Sequence, residues 1–497
     1  MLHPLMLIVV IGLIGRDLVG PIVSPPIGSG VAAASVLGAL LVVALTTHLL
    51  LVLVGRQLDR TGEARWIARA DLTLAGSRLA IGAIFLVGVF VLDWLGAVRG
   101  MLGDWVGVDE VIAGLPPVLA YAVGWWSYAP IERRLHDATL LRALDAGAPI
   151  HAFPTRWVYM LERLRSTALG ALAPIMLILF WSEAVVMAAG RWGGLDDGGQ
   201  AGMTLALAGA QLLGAVLVLA LSPPLIVWIW GARPLAQGSL HERIEALCRR
   251  EGVRVGSVRL WRTRGLVLNA AVLGLLPGLR TLLLTDGLVE RLDERQLDAV
   301  VLHEIAHVRQ RHMPWLIATL AAGFGVALVA LDLIERGLAL IAPAFRDAAP
   351  AWFDAIGFGG SILQALWIFG VVSRLFERQA DSFAAASLAR ADGGDRVTTD
   401  AAEAMASALE RVARLNHIPL GKYMWRHGSI ATRCMRLRAL VGAPVAGVRV
   451  DRLVRRIKVS VAVTLVVVAG VIASMVVDPA QPISQHAGGP EPEPTAP

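Results

Sequence analysis

Asp293-Glu294-Arg295-Gln296-Leu297-Asp298-Ala299-Val300-Val301-Leu302-His303-Glu304-Ile305-Ala306-His307-Val308-Arg309-Gln310-Arg311-His312-Met313-Pro314-Trp315-Leu316 runs from a helix start, through a pair of histidines, into an apolar segment. Asp293 followed by Gln296 resembles a capping box and predicts a helix through Leu297 to Arg311. The helical period places His303 and His307 one turn apart on one face with Glu304 beside them, so both imidazoles can reach one metal ion. From Trp315 onward the sequence turns almost continuously apolar.

Apolar segments recur along the chain. Of its 497 residues 56% are hydrophobic and 17% charged, and the mean hydropathy of +0.64 exceeds what a water-soluble globule of this length normally shows. Runs long enough to cross a bilayer, roughly 20 mostly apolar residues, occur at Val31 to Val54, Leu79 to Val98, Val111 to Tyr128, Ala168 to Met187, Leu205 to Trp230, Trp315 to Leu333, Ile356 to Val372 and Val459 to Val477. Met1 to Ile14 is apolar but short, so whether residues 1–24 form a further span stays open. Threading the eight runs alternately gathers 39 of the 45 Lys and Arg residues on one side, which the positive-inside rule makes the cytoplasmic side. The histidine pair falls there too. The expected location is therefore a multi-pass membrane protein, of a bacterial inner membrane, with this segment facing the cytoplasm.

The organisation that follows is an N-terminal membrane region of about five transmembrane helices over 1–230 and a domain over 231–458 interrupted by a two-helix membrane hairpin (315–372). A last span over 459–477 and a disordered Pro-rich tail over 478–497 complete it. Between Gly256 and Leu284 the pattern changes to short β-like runs, Val258 to Trp261, Leu266 to Val272 and Arg280 to Leu284, punctuated by Gly265 and Pro277-Gly278. Three antiparallel strands are expected.

Zinc bound by two His and one carboxylate keeps a fourth position for water, whose pKa falls toward about 7. Glu304 is the expected general base that takes the water's proton and returns it to a leaving amine. A third ligand is needed from elsewhere. Ser373-Arg374-Leu375-Phe376-Glu377-Arg378-Gln379-Ala380-Asp381 continues the seventh apolar run as a helix, and Glu377 and Asp381, spaced i, i+4, share a face. One can bind zinc while the other orients a ligand His. The plain alternative is a solvated acidic pair between arginines.

Together, His303-Glu304-Ile305-Ala306-His307 and Glu377-Arg378-Gln379-Ala380-Asp381 resemble the M48 peptidase family, which includes membrane proteases of the HtpX and Ste24 types. Asn269-Ala270-Ala271, Thr285-Asp286-Gly287-Leu288 and His427-Gly428-Ser429-Ile430-Ala431-Thr432-Arg433 extend the resemblance over about Gly256 to Leu440. It implies a mainly α polytopic membrane protein carrying an α+β zincin-like (gluzincin) domain. It also implies one Zn2+ per subunit on His303, His307 and Glu377, with Asp381 behind a ligand. Asn269 and the neighbouring strands would hold substrate backbone, while His427 and Arg433 would stabilise the tetrahedral oxyanion or Asp381. Gly428 stands where the family pattern has Pro. His312 also resembles a family position, with a packing or interfacial role expected.

His307 lies close to Pro314, where the sixth run begins, so a rise of 1.5 Å per residue puts the metal on the order of 10 Å from the membrane surface. Membrane proteins or membrane-tethered peptides are the expected substrates, with the lipid bilayer as surroundings; oligomeric state and the role of the front spans are not readable. The same positive-inside bias explains the basic balance, and no basic and aromatic module for nucleic acid is present. Cys248 and Cys434 are far apart and lie on the reducing side, against a disulfide or thiolate zinc site. A bilayer-embedded histidine pair is excluded by the flanking charges: at about 2.5 to 3.5 kcal/mol for each Arg or Asp at a span centre, this helix would not insert. A non-catalytic membrane scaffold or sensor of the same fold is the alternative from another class. A transporter would distribute polar residues through the spans, whereas Asp93, Glu183 and Asp332 lie near span ends.

Overall fold

The computed structural model describes residues 4–22, 28–145, 151–192, 200–342, 350–446 and 449–477. The tail expected over 478–497 lies outside them. Among the described residues the front half is built of helices without strands: α1 (Pro4–Val19), α2 (Ser29–Thr61), α3 (Arg65–Phe90), α4 (Trp94–Leu102), α5 (Val108–Asp145) and α6 (Arg156–Arg163). A π-helical turn over Leu164–Leu169 then leads into α7 (Gly170–Trp192), and α8 (Gln200–Trp230) follows. The membrane helices bury one face only. Leu5, Met6, Val9 and Leu13 of α1 pack with Val36, Leu40, Ile81 and Phe85 of α2 and α3, while Leu41, Leu45, Leu49 and Leu53 of α2 stay exposed. Such a continuous apolar outer face suits lipid rather than water.

Seven helices among the described residues are long and apolar enough to cross a membrane: four in the front half, on α2, α3, α7 and α8, and three later. The protein is thus an integral multi-pass membrane protein. One of the eight expected spans is not among these seven, and another needs correction in its bounds. Val111 to Tyr128 is helical, inside α5, yet α5 is not among the seven; Pro116, Pro117, Tyr121, Trp125, Trp126 and Tyr128 dilute its hydropathy. Leu79 to Val98 is not one span either, because the helix stops at Phe90 and restarts at Trp94. Asp93 causes the break: it takes a left-handed conformation (φ 52°), accepts from Gly96 N–H to cap α4, and pairs with Arg16 at 2.8 Å.

The remaining elements are β1 (Arg233–Pro234), α9 (Ser239–Arg250), β2 (Ser257–Trp261), β3 (Ala270–Leu273), β4 (Thr281–Thr285), α10 (Asp286–Arg291) and α11 (Glu294–Arg309). After them come α12 (His312–Ile341), α13 (Pro350–Ala391), α14 (Thr399–Leu415), α15 (Ile430–Arg438) and α16 (Arg449–Val477). The four strands form one sheet in the order β1-β2-β4-β3. β3 pairs antiparallel with β4, but β2 pairs parallel with it, Val258 opposite Leu282, so the expected all-antiparallel trio is corrected. The reason is burial: β4 (Thr281-Leu282-Leu283-Leu284-Thr285) is buried at every residue, which demands a central place with a neighbour on each side. β3 is left as an edge.

Leu282 and Leu284 pack with Leu297, Val301, Leu302 and Ile305 of α11, Ala385 and Leu388 of α13, and Met405 of α14. This core fixes α11 between the sheet and α13. The capping box forms as the sequence predicts, Asp293 Oδ1 accepting from Gln296 N–H at 2.8 Å and Gln296 Oε1 from Asp293 N–H at 3.4 Å. α13 has 42 residues, about 63 Å at 1.5 Å per residue, roughly twice the 30 Å hydrocarbon core. Its second half therefore projects from the membrane and carries Glu377 into the domain.

Candidate metal centre

His303 and His307 rise from one face of α11, and their Nε2 atoms stand 3.2 Å apart. Glu377, from α13, closes the group: Oε2 lies 3.5 Å from His303 Nε2 and Oε1 3.7 Å from His307 Nε2. Among the described residues these three form one of two groups of side chains able to share an ion. Tetrahedral zinc with bonds of about 2.0–2.2 Å places its ligand atoms about 3.3 Å from one another, so the spacing fits. The electrostatics fit as well. Two imidazole nitrogens and a carboxylate oxygen facing one another at contact distance, with the outer imidazole nitrogens engaged elsewhere, leave three lone pairs converging on a point that a cation would occupy.

The outer nitrogens decide which lone pairs point inward. His303 Nδ1 lies 3.0 Å from Asp381 Oδ1. Despite burial, which by itself lowers its pKa, the carboxylates of Asp381 and Glu377 push His303 up to about 10. His307 Nδ1 lies 2.9 Å from Nδ1 of His312, and burial holds His307 down to about 3. A cation between them would take the place of the proton that the two carboxylates favour on His303, so that both imidazoles would be neutral and turn an Nε2 lone pair inward.

Arg433, from α15, donates from Nε and Nη2 to the two oxygens of Asp381 at 2.8 and 2.7 Å, and its Nη1 lies 3.3 Å from Glu377 Oε2. Burial opposes its charge, but the Asp381 carboxylate outweighs that and keeps the guanidinium firmly protonated. His427 Nδ1 is 3.1 Å from Glu377 Oε1. Both residues therefore meet the acidic pair.

Glu304 points to the other side of the group. Burial raises its pKa to about 7, and its Oε2 accepts the backbone N–H of Val272 at 3.2 Å. That N–H belongs to the edge strand β3 and points away from β4. Asn269, by contrast, is exposed, and its backbone is engaged with Thr285, N–H to Oγ1 at 2.9 Å. No contact of Asn269 with the histidines, Glu304 or Glu377 is found among the described residues. Cavities of about 820 Å³ beside Glu377 and His427 and about 500 Å³ beside Val272 and His307 flank the centre.

Three participants were not foreseen. Val272 acts through its backbone, which no side-chain pattern reveals. His312 was expected to pack, and it does stack on Phe376 with ring centroids 4.4 Å apart, but it also contacts His307. Its ring reaches back because Arg311 adopts a left-handed conformation (φ 55°) that turns the chain between α11 and α12. Gln379 stands in the spacer between Glu377 and Asp381 and meets His312 from α13 at 2.9 Å.

Residues 234–441 match the family model described as Peptidase family M48. The chain is 27% identical over 206 residues to "Protease HtpX homolog 2" of Methanosarcina acetivorans, covering 39% of this chain and 62% of that protein. It is 31% identical over 134 residues to "Protease HtpX homolog" of Aquifex aeolicus, covering 26% and 43%. The match thus spans less than two thirds of the length of either relative. Among solved structures, Ste24p of S. mikatae aligns over 88% of this chain and 99% of that one, at 15% identity and a TM-score of 0.43.

Proposed function

We propose, from the match of residues 234–441 to the family model described as Peptidase family M48, that the chain is a zinc-dependent endopeptidase of the membrane. The observation that carries the reading is the convergence of His303, His307 and Glu377 within 3.2 to 3.7 Å, with the carboxylate of Glu304 next to it. Its domain boundaries are 1–230, 231–458 with a membrane hairpin at 315–372, and 459–477.

A zinc ion on these three side chains would supply a Lewis acid that polarises the scissile carbonyl and acidifies water. Glu304 takes the proton of the attacking water and delivers it to the leaving amine; a pKa near 7 suits a group that must both accept and release it. Asp381 holds His303, and Arg433 holds Asp381. His427, beside Glu377, presents the remaining imidazole toward developing negative charge. β3 is an edge strand whose outward Val272 N–H is held by Glu304; an extended substrate can add to this edge as a further strand by taking that N–H and freeing the Glu304 carboxylate, with the segment from Asn269 alongside.

Because α12 begins five residues after His307 and α13 carries Glu377 directly out of a span, membrane proteins and membrane-tethered peptides are the proposed substrates. The basic-residue bias places the site on the cytoplasmic side, which requires α5 to cross the bilayer in addition to the seven other spans. The Glu304→Gln protein tests the catalytic reading. It is expected to retain one zinc per chain and to cleave neither a membrane-tethered nor a soluble reporter; cleavage at the parent rate refutes it.

A further inference from the structure

The zinc centre continues outward through a chain of hydrogen bonds that ends on the last membrane helix. Asp451, on α16, accepts from Nε2 of Gln379 at 2.7 Å. Gln379 Oε1 faces His312 Nε2 at 2.9 Å, and His312 Nδ1 faces His307 Nδ1 at 2.9 Å. His312 is fully buried and belongs to α12, Gln379 to α13.

The polarity of this chain is set at one end. A carboxylate only accepts, so the amide group of Gln379 must turn its NH2 to Asp451 and its oxygen to His312. That oxygen also only accepts, so His312 carries its proton on Nε2. A neutral imidazole has one donor and one acceptor nitrogen, which leaves His312 Nδ1 as an acceptor. His307 must then donate from Nδ1, and its lone pair is on Nε2, the atom 3.2 Å from His303 Nε2. Reversing any link would put the His307 proton on Nε2 and turn a ligand into a blocked site.

We infer that Asp451 fixes the tautomer of His307 through Gln379 and His312, so that α16 is a positioning element of the metal centre. The inference rests on the zinc reading above. It gives the last span a role that does not involve substrate, and it makes His307 the counterpart of His303: the tautomer of one is set by a carboxylate at 3.0 Å, that of the other by a carboxylate three links away.

The test uses the full chain in detergent, with zinc affinity read by competition against a chromophoric chelator and ligand geometry by the visible spectrum of the Co2+-loaded protein. His312→Phe keeps the ring stacked on Phe376 and removes the relay, and Asp451→Leu removes its anchor. Each is expected to weaken zinc binding about 10- to 100-fold, as loss of outer partners of ligand histidines does, and to shift the Co2+ bands. Asp451→Asn, whose amide can either accept or donate, no longer fixes the polarity and is expected to fall between Asp451→Leu and the parent in both readouts. Parent-like affinity and spectrum in both Asp451→Leu and His312→Phe, alongside weakened binding in Asp381→Asn, overturn the relay and leave the zinc centre standing. A parent protein that binds neither Zn2+ nor Co2+ stoichiometrically overturns the zinc reading itself.

Discussion

Arg433 holds Asp381 at two points, Nε to Oδ2 at 2.8 Å and Nη2 to Oδ1 at 2.7 Å, and both residues are more than nine-tenths buried. The same guanidinium reaches Glu377, so a single cation balances two buried carboxylates and ties α15 to α13. Replacing it strands both charges. Arg433→Leu is expected to cost about 3–5 kcal/mol, the range for breaking a buried pair from one side, and to abolish stoichiometric zinc. Arg433→Lys, with a point charge in place of the planar fork, should fall between. Thermal unfolding in detergent with metal analysis of the same samples measures both.

Metal removal should act on stability as well as activity. A ligand bound only by the folded state stabilises it by about 4 kcal/mol at a thousand times its dissociation constant. Dialysis against a chelator is therefore expected to lower the unfolding temperature, and added Zn2+ to restore it, in the parent and in Glu304→Gln alike. Glu377→Ala should show no response to either. A parent whose melting ignores both treatments would contradict a centre built from His303, His307 and Glu377.

Val272 offers a way to separate the substrate edge from the fold. Its N–H points away from β4 to Glu304, so proline there removes no ladder bond and takes away only the one donor that Glu304 and an added substrate strand would share. Val272→Pro is expected to melt within a few degrees of the parent yet to cleave at least about tenfold more slowly, the loss of a single positioned donor costing 10²–10³ where it is fully used. Leu283→Pro, in the central strand, should not fold.

What the sequence made legible was local. The capping box at Asp293, the shared face of His303 and His307, and the continuation of an apolar run into Glu377 and Asp381 each depend on residues within two turns of one helix, where periodicity suffices. Non-local relations escaped. The parallel pairing of β2 with β4 follows from the full burial of Leu282, Leu283 and Leu284, which alternation cannot register. The break in the second apolar run depends on Asp93 meeting Arg16, 77 residues away. His312 was visible as a histidine but its direction was not, because that depends on the backbone turn at Arg311.

The two cysteines give a prediction outside the centre. Burial pushes both thiols up to about 11, and the pair is free, Cys248 on α9 and Cys434 on α15. A raised pKa keeps the thiol protonated below that pH, so at pH 8 only about one molecule in a thousand carries the reactive thiolate. Neither is expected to react with a thiol-specific disulfide reagent in the native protein, while both should react after denaturation. Rapid native labelling of either would show that its helix opens readily.

The two helices of the membrane hairpin approach closely at Gly323 of α12, where a Cβ would lie 3.3 Å from the backbone Cα of Ala365 on α13. Small residues allow such an approach, and packing of this kind holds membrane helices together. A methyl at 3.3 Å needs a shift of a few tenths of an ångström, so Gly323→Ala should bind zinc close to normally. Gly323→Leu cannot be accommodated without prying α12 from α13, and the displacement is carried along both helices toward His307 and Glu377. The leucine protein is expected to remain in the membrane and to lose at least about tenfold in zinc affinity, since a shift near 1 Å at the ligands loosens a site of this kind. Unchanged zinc affinity in Gly323→Leu would mean that α11 and α13 are held together by the core around Leu302 and Ala385 alone, and that the membrane hairpin contributes nothing to the geometry of the centre.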